Sequence, residues 1–203
     1  NTTNQLFELT YLFDMGNYND KMLGIAAGYM EYLGTSDMTP EQVKSEFFRM
    51  GCSFNVKPGS ERTYVSISGL AENMPKAIAL FEKLMADAQV NAPAYINLVG
   101  DILKSRVDAK ANQGTNFSQL RQYVTWGPEI KKTIPSAQEL QTANPQELVD
   151  RIHNIFSYKH RILYYGPASE KELIALLDKE HRTPETLKDI PAGVELKQAN
   201  TEE

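Results

Sequence analysis

Cysteine is nearly absent from this chain of 203 residues, and long apolar runs and an excess of positive charge are missing. The single cysteine, Cys52, can form no internal disulfide, and because it lies beside a predicted strand we interpret it as a small core residue. Apolar stretches such as Ile25 to Ala27 and Ile78 to Phe81 are far shorter than the ~20 residues that cross a bilayer. The sequence therefore predicts no membrane span.

The balance of charge excludes one class of partner. Lys and Arg number 21 against 26 Asp and Glu, which gives a formal net charge of -5. A chain without a basic stripe is not expected to bind nucleic acid or an anionic membrane surface. No secretory leader pattern follows Asn1, and the polar start runs directly into an apolar segment. We therefore expect the sequence to be part of a longer protein.

Strand and helix signals alternate in the first third of the chain. The mixture of Leu, Phe and Tyr in Leu6–Phe13 predicts a strand. Apolar residues at helical spacing predict a helix over Lys21–Leu33. The segment Thr39–Gln42 has the pattern of a capping box and predicts the start of a second helix. A hairpin with one buried face is predicted next, with strands Ser53–Val56 and Arg62–Gly69 around a Pro58-Gly59-Ser60 turn.

Helices and one further strand are predicted for the rest of the chain. The helices are expected to begin near Asn73, Asn91, Asn116, Asn144 and Ser169. The segment Gly127–Thr142 is predicted to be a loop, because it contains Pro128 and Pro135. Arg161–Tyr165 predicts the last strand.

This order of elements predicts an α+β fold in which helices pack on one face of a mostly antiparallel sheet. Residues 1–182 are expected to form a single domain. Residues 183–203 are expected to be a tail or a linker to a following domain, because the sequence beyond His181 becomes rich in Pro and Lys.

The segment Gly24–Thr35, followed by the capped helix and the hairpin to Gly69, resembles the catalytic-type domain of pitrilysin/insulinase zinc metallopeptidases. In that family the helix after the first strand carries H-x-x-E-H, whose histidines bind zinc and whose glutamate is the general base. A Gly-Thr pair follows the motif. The resemblance covers nearly the whole chain and implies the pitrilysin-like metallohydrolase fold.

The motif is degenerate in this chain. Glu31 matches the general base, and Gly34 with Thr35 matches the Gly-Thr pair, but Gly28 and Tyr32 occupy the histidine positions. Glycine offers no ligand, and a tyrosine phenol with an ordinary pKa of ~10 must first lose a proton. The acid nearest to the position of the family's third ligand is Asp108. The resemblance therefore implies no catalytic or metal-binding residue here, with vestigial motif positions at Gly28, Glu31, Tyr32 and Asp108.

The resemblance also implies a role for the chain. In the long members of the family four related domains form two halves around a chamber, and only the first domain holds zinc. We therefore expect a non-catalytic structural domain that lines the substrate chamber of a peptide-hydrolysing parent. It would contact the other domains of that parent, including the catalytic half, and could contact the peptide substrate. Many bacterial members are exported, so the expected location is the periplasm or cell envelope.

Two alternatives stay open. The chain could be a self-contained metal-dependent peptidase that uses Glu31, Asp108 and a histidine. It could also be an interaction module derived from the fold, which binds a protein through its sheet edge or through the polar helical stretch Arg106–Gln122. A second metal site is not expected, because the three histidines show no ligand-like spacing; they are His153, His160 and His181.

Overall fold

One antiparallel sheet of four strands organises the structure, a computed structural model that describes residues 4–198. Strand β1 (Leu6–Phe13) lies between β3 (Thr63–Leu70) and β4 (Arg161–Tyr165), and β2 (Cys52–Pro58) pairs with β3 at the edge. All three pairings are antiparallel. The α+β class and the mostly antiparallel sheet are therefore confirmed.

Helices cover one face of this sheet. Alternation along β1 turns Phe7, Leu9, Tyr11 and Phe13 to the covered face, where all four are buried. The opposite face is more polar, and there the hydroxyls of Thr10 and Ser66 are hydrogen-bonded at 2.8 Å. The hydrophobic core thus lies between the sheet and a single layer of helices.

The helices follow the predicted order. They are α1 (Leu23–Tyr29), α2 (Pro40–Arg49), α3 (Met74–Asp87), α4 (Ala92–Ala109), α5 (Gln113–Trp126), α6 (Ala137–Thr142), α7 (Pro145–Asn154) and α8 (Glu170–Glu180). The capping box of α2 is formed as predicted, because the Thr39 hydroxyl accepts from the Gln42 backbone and the Gln42 side chain accepts from the Thr39 backbone. Within the described residues, no helix combines the length and hydrophobicity needed to span a membrane.

Two sequence predictions about local structure are wrong. The helix predicted over Lys21–Leu33 is shorter, because α1 ends at Tyr29 and a 3₁₀ turn, Met30–Tyr32, replaces its last part. The segment predicted as a loop contains the 3₁₀ helix Gly127–Thr133 and then α6. Helix α6 begins with a capping box of Ser136 and Glu139, which stabilises this short helix directly after Pro135.

The segment after α8 follows the surface of the domain. Lys188 exchanges backbone hydrogen bonds with Ser157 and Lys159 at 2.8 and 3.0 Å. Further along, the N–H of Val194 donates to the carbonyl of Tyr18 at 2.7 Å. Residues 183–198, which we call the C-terminal strap, therefore join the turn before β4 to the loop before α1.

Candidate functional site

The vestigial motif lies at the junction between α1 and the 3₁₀ turn that follows it. Gly28 is in the last turn of α1, and Tyr32 is the last residue of the 3₁₀ turn. A 3₁₀ turn advances about 120° per residue, compared with about 100° in an α-helix. On a regular α-helix, two residues four apart lie on the same face. The 3₁₀ turn rotates position 32 further around the axis, so the side chains at positions 28 and 32 do not share a face.

The Gly-Thr pair shapes the loop that follows the 3₁₀ turn. A Cβ on Gly34 would lie 2.1 Å from the carbonyl oxygen of Met38, so only glycine allows the loop to approach. The buried Thr35 donates its N–H to that carbonyl at 2.9 Å and its hydroxyl to Asp37 at 2.7 Å. The pair that carries part of the sequence resemblance thus has a structural role in this chain.

The two acids of the vestigial set are not brought together. Glu31 is exposed on the 3₁₀ turn, and the neighbouring Tyr32 carbonyl accepts a hydrogen bond from Asn91, immediately before α4, at 3.1 Å. Asp108 is exposed at the other end of α4, about 25 Å along the helix axis from Asn91 at 1.5 Å per residue. The assignment of Asp108 as the third position therefore rests on the sequence count alone.

Zinc does not fit the groups at this position. A zinc site needs three or four nitrogen, sulfur or carboxylate ligands around one point. Gly28 has no ligand atom, Tyr32 has its side chain 39% exposed, and Lys44 lies over its ring at 5.8 Å. Across residues 4–198, no three His, Cys, Asp or Glu side chains form a group that could hold a metal ion. We therefore derive no metal-dependent step for this domain.

A groove lined mainly by apolar side chains lies next to Glu31 of the vestigial motif. It has a volume of about 330 Å³ and lies between α1, α2 and the edge strand β2. Phe47 and Phe54 form its floor, with ring centroids 5.0 Å apart, and Phe48 at its rim is 86% exposed. We call it the β2 groove; its lining also includes Met30, Leu33, Val43, Lys44, Ser53 and Val56.

Strand β2 forms one edge of the sheet along this groove. In the described part of the chain, its central residues Ser53–Lys57 make backbone hydrogen bonds to β3 and to no other element. An edge strand leaves alternate N–H and C=O groups free to pair with another extended chain. The groove and the edge together can accept a peptide strand and one of its apolar side chains.

Sequence reasoning missed a second constellation, which is largely shielded from solvent. His160 and His181 face each other with Nε2 atoms 2.9 Å apart, and Nδ1 of His181 lies 2.7 Å from Oε1 of Glu82. Tyr11 donates its hydroxyl to the same oxygen at 2.7 Å, and burial and the adjacent carboxylate raise the pKa of this phenol. His153 is not a member, because its ring contacts the Ala88 carbonyl instead. The contacts span 21 to 99 residues of sequence, so no local signal could have found them.

Comparison with solved structures places this architecture among peptidases. The periplasmic protease PqqL from Escherichia coli matches 97% of this chain with a TM-score of 0.81 and 12% sequence identity. A peptidase M16 inactive domain from Pseudomonas fluorescens matches 94% of it with a TM-score of 0.73 and 13% identity. A protease from Helicobacter pylori matches 97% with a TM-score of 0.74 and 15% identity.

The chain has the fold of an M16 peptidase domain. This finding confirms the fold that the sequence resemblance implies. The chain spans only part of these proteins, namely 22% of PqqL, 49% of the Pseudomonas chain and 50% of the Helicobacter chain. No protein-family profile and no curated protein matches the sequence.

Proposed function

We propose that the chain is a non-catalytic domain of a pitrilysin-type zinc metallopeptidase and forms a wall of its peptide chamber. The observation that carries the proposal is the state of the vestigial motif within an M16 fold. Glu31 is retained, but glycine and a half-exposed tyrosine stand where two zinc ligands belong, and the supporting helix changes to a 3₁₀ turn between them. A general base without a metal-bound water has no nucleophile to activate.

The remaining domains of the parent would supply the chemistry. A catalytic half, in the same chain or in a separate subunit, would hold the zinc and cleave peptides. The M16 proteins of similar fold are two to five times longer than the part this chain matches, which is consistent with such partners. One of them is described as an inactive domain.

Helix α5 offers a surface for contact with another domain. Phe117, Leu120 and Val124 are spaced along one side of it, and all three are exposed. A contiguous exposed apolar surface of this kind is typical of interaction sites. We propose that a neighbouring domain of the parent packs on α5.

The β2 groove supports a direct role in contacting the peptide. An extended substrate that adds to β2 would gain backbone hydrogen bonds along the edge and could place an apolar side chain beside Phe48 on the floor formed by Phe47 and Phe54. In this proposal the domain binds and orients the peptide while the catalytic half cleaves it. A location in the periplasm or cell envelope is proposed with it, because PqqL is described as a periplasmic protease.

Zinc stoichiometry separates this proposal from a self-contained peptidase. The purified chain would be dialysed against equimolar zinc, and bound metal would be measured together with hydrolysis of an unstructured peptide. We expect no tightly bound zinc and no cleavage. One tight zinc per chain, with hydrolysis that a chelator abolishes, would overturn the proposal and favour the self-contained enzyme.

A further inference from the structure

The half-buried pair of His160 and His181 is part of a continuous chain of hydrogen bonds that reaches into the core. At one end, Nδ1 of His160 lies 2.7 Å from the carbonyl oxygen of Tyr158. The chain continues from His160 to His181 at 2.9 Å and from His181 to Glu82 at 2.7 Å. At the other end, Tyr11 donates to Glu82 at 2.7 Å. The chain therefore connects α3, β1, the turn before β4 and the end of α8.

The number of hydrogens in this chain follows from its geometry. The Tyr158 carbonyl can only accept, so Nδ1 of His160 carries a hydrogen. One hydrogen must lie between the two Nε2 atoms, and another must lie between His181 and the carboxyl group of Glu82. The two rings and the carboxyl group thus share three titratable hydrogens. Two neutral imidazoles and an ionised carboxylate supply only two, so the closed chain holds one extra proton.

Burial raises the free-energy cost of losing the extra proton. The side chains of His181 and Glu82 are only 7% and 10% exposed, and the rings of Tyr11 and Phe156 each lie 4.8 Å from the His181 ring. Without the proton, two nitrogen lone pairs or a lone pair and a carboxylate would face each other away from water. An unmade hydrogen bond at a buried site costs more than a made one contributes.

The surrounding charges indicate where the proton is held. Burial lowers the pKa of His160, which favours its neutral form. His181 has the carboxylate of Glu82 as its direct partner, so the imidazolium belongs on His181. The nearby charges have their own contacts: Lys83 pairs with Asp37, and Lys179 with Glu180. The other titratable or charged groups around the adjacent cavity are His153, Glu180 and Arg182.

The groups joined by this chain also hold the C-terminal part of the protein in place. No residue of helix α8 is buried. The side chain of His181, which directly follows the helix, reaches into the core. The strap that follows is bonded to Ser157 and Lys159, the residues next to His160. Leu173, Leu176, Leu177 and Ile190 also pack against the core, and the two histidines add a polar contact at each end of this part of the chain.

We propose that His181 and His160 form a proton-dependent clamp, which fastens α8 and the C-terminal strap to the sheet by holding one buried proton against Glu82. This device is independent of the proposed peptidase role. Well above the ordinary histidine pKa of ~6.5, the folded chain holds one more proton than the unfolded chain, so stability falls as pH rises, by up to about tenfold in the equilibrium constant per pH unit. Below ~6.5 both histidines are charged when unfolded, so stability falls as pH drops, and the maximum lies near ~6.5.

The clamp is tested most directly with Glu82→Gln. A glutamine amide nitrogen can donate to Nδ1 of His181 and to the Tyr11 oxygen, which lets the links through both histidines form with two neutral rings and no extra proton. Urea unfolding of the full 203-residue chain would be followed from about pH 7.5 to about pH 8.5, where the unfolded histidines are nearly neutral. We expect the unfolding constant of the native sequence to rise about tenfold per pH unit and that of Glu82→Gln to stay nearly constant. The exposed Glu61→Gln is the matched control and should behave like the native sequence.

A flat profile for the native sequence, or an equal slope for Glu82→Gln, would overturn the proposal. If Glu82→Gln does not fold, nitrogen-15 spectra of the imidazole rings in the native sequence provide a second test. At about pH 7 the native sequence should show three protonated nitrogens on His160 and His181 together. Only two protonated nitrogens on these rings would contradict a clamp that carries its proton on His181.

Discussion

The hydroxyl of Tyr29 accepts a hydrogen bond from the backbone N–H of Asn91 at 2.8 Å, and this contact joins the end of α1 to the start of α4. The Tyr29 ring is buried against Tyr95, with centroids 5.5 Å apart. The residue next to the vestigial motif position Gly28 is thus a core residue whose polar atom has a defined structural partner.

Tyr29→Phe should therefore destabilise the fold. The substitution keeps the ring packing but leaves a partly buried N–H without its acceptor, which costs about 1–2 kcal/mol in the free energy of unfolding. Tyr32→Phe, at an exposed ring only three residues away, should change it by less than about 0.5 kcal/mol. Urea unfolding of both variants checks the difference, and equal effects would mean that the Tyr29 hydroxyl contributes nothing.

Two glycines of the motif region should respond to alanine with opposite signs. Gly34→Ala places a Cβ against the Met38 carbonyl and should cost at least about 2 kcal/mol. Gly28→Ala meets no atom within 4 Å and improves helix propensity, so it should stabilise by up to about 1 kcal/mol. Thermal unfolding of the two variants is sufficient. A harmless Gly34→Ala would show that the loop over α1 adjusts freely.

Restoring the histidines should not restore an enzyme. In the double variant Gly28→His/Tyr32→His, the 3₁₀ turn separates the two rings, and Asp108 lies far along α4. With at most two ligands, which do not share a face, we expect no tight zinc binding and no peptide hydrolysis. Zinc competition with a coloured chelator and a fluorogenic peptide assay measure both. Robust zinc-dependent cleavage would mean that another acid, close to the motif, completes the site.

The β2 groove should bind extended peptides through its aromatic rim. Phe48→Ala removes an exposed ring, so it should weaken binding of a labelled apolar peptide about fivefold, equivalent to about 1 kcal/mol, with little change in stability. Phe117→Ala on α5 is the matched control, because Phe117 is 67% exposed and lies outside the groove. Fluorescence anisotropy measures both affinities. Equal loss in the two variants would assign the binding to non-specific apolar contact.

Local chemistry made most of the fold predictable. The capping box at Thr39 predicted a helix, and the alternation of Thr63, Val65 and Ile67 predicted a strand. Both predictions were possible because the residues that determine each element lie within a few positions of one another. The end of α1 could not be placed from helical spacing, because Tyr29 and Tyr32 are bonded there to Asn91, about 60 residues further along the chain. Tertiary contact, and not propensity, decided that boundary.

Some residues of the candidate sites could likewise be predicted from the sequence, and others could not. Positions 28, 31 and 32 could be found because the motif is contiguous in sequence, whereas the distance of Asp108 from them depended on the direction of α4. The chain from Tyr11 through Glu82 to His181 could not be found at all. Its members are ordinary residues of a strand, a helix and a helix end, and only the packed core brings their polar atoms within 2.7 Å of each other.

The position of β1 in the sheet has a consequence for how the protein forms. β1 begins at Leu6, but one of its two neighbours is β4, so that Tyr11 pairs with Ile162 across about 150 residues. The chain must close this long loop before the sheet is complete, which favours slow folding because the closure entropy precedes the contacts that offset it. During synthesis, the β1–β2–β3 sheet would expose one side of β1 as an unpaired edge until Arg161–Tyr165 had emerged, and a nascent chain stalled before that point would be prone to aggregate.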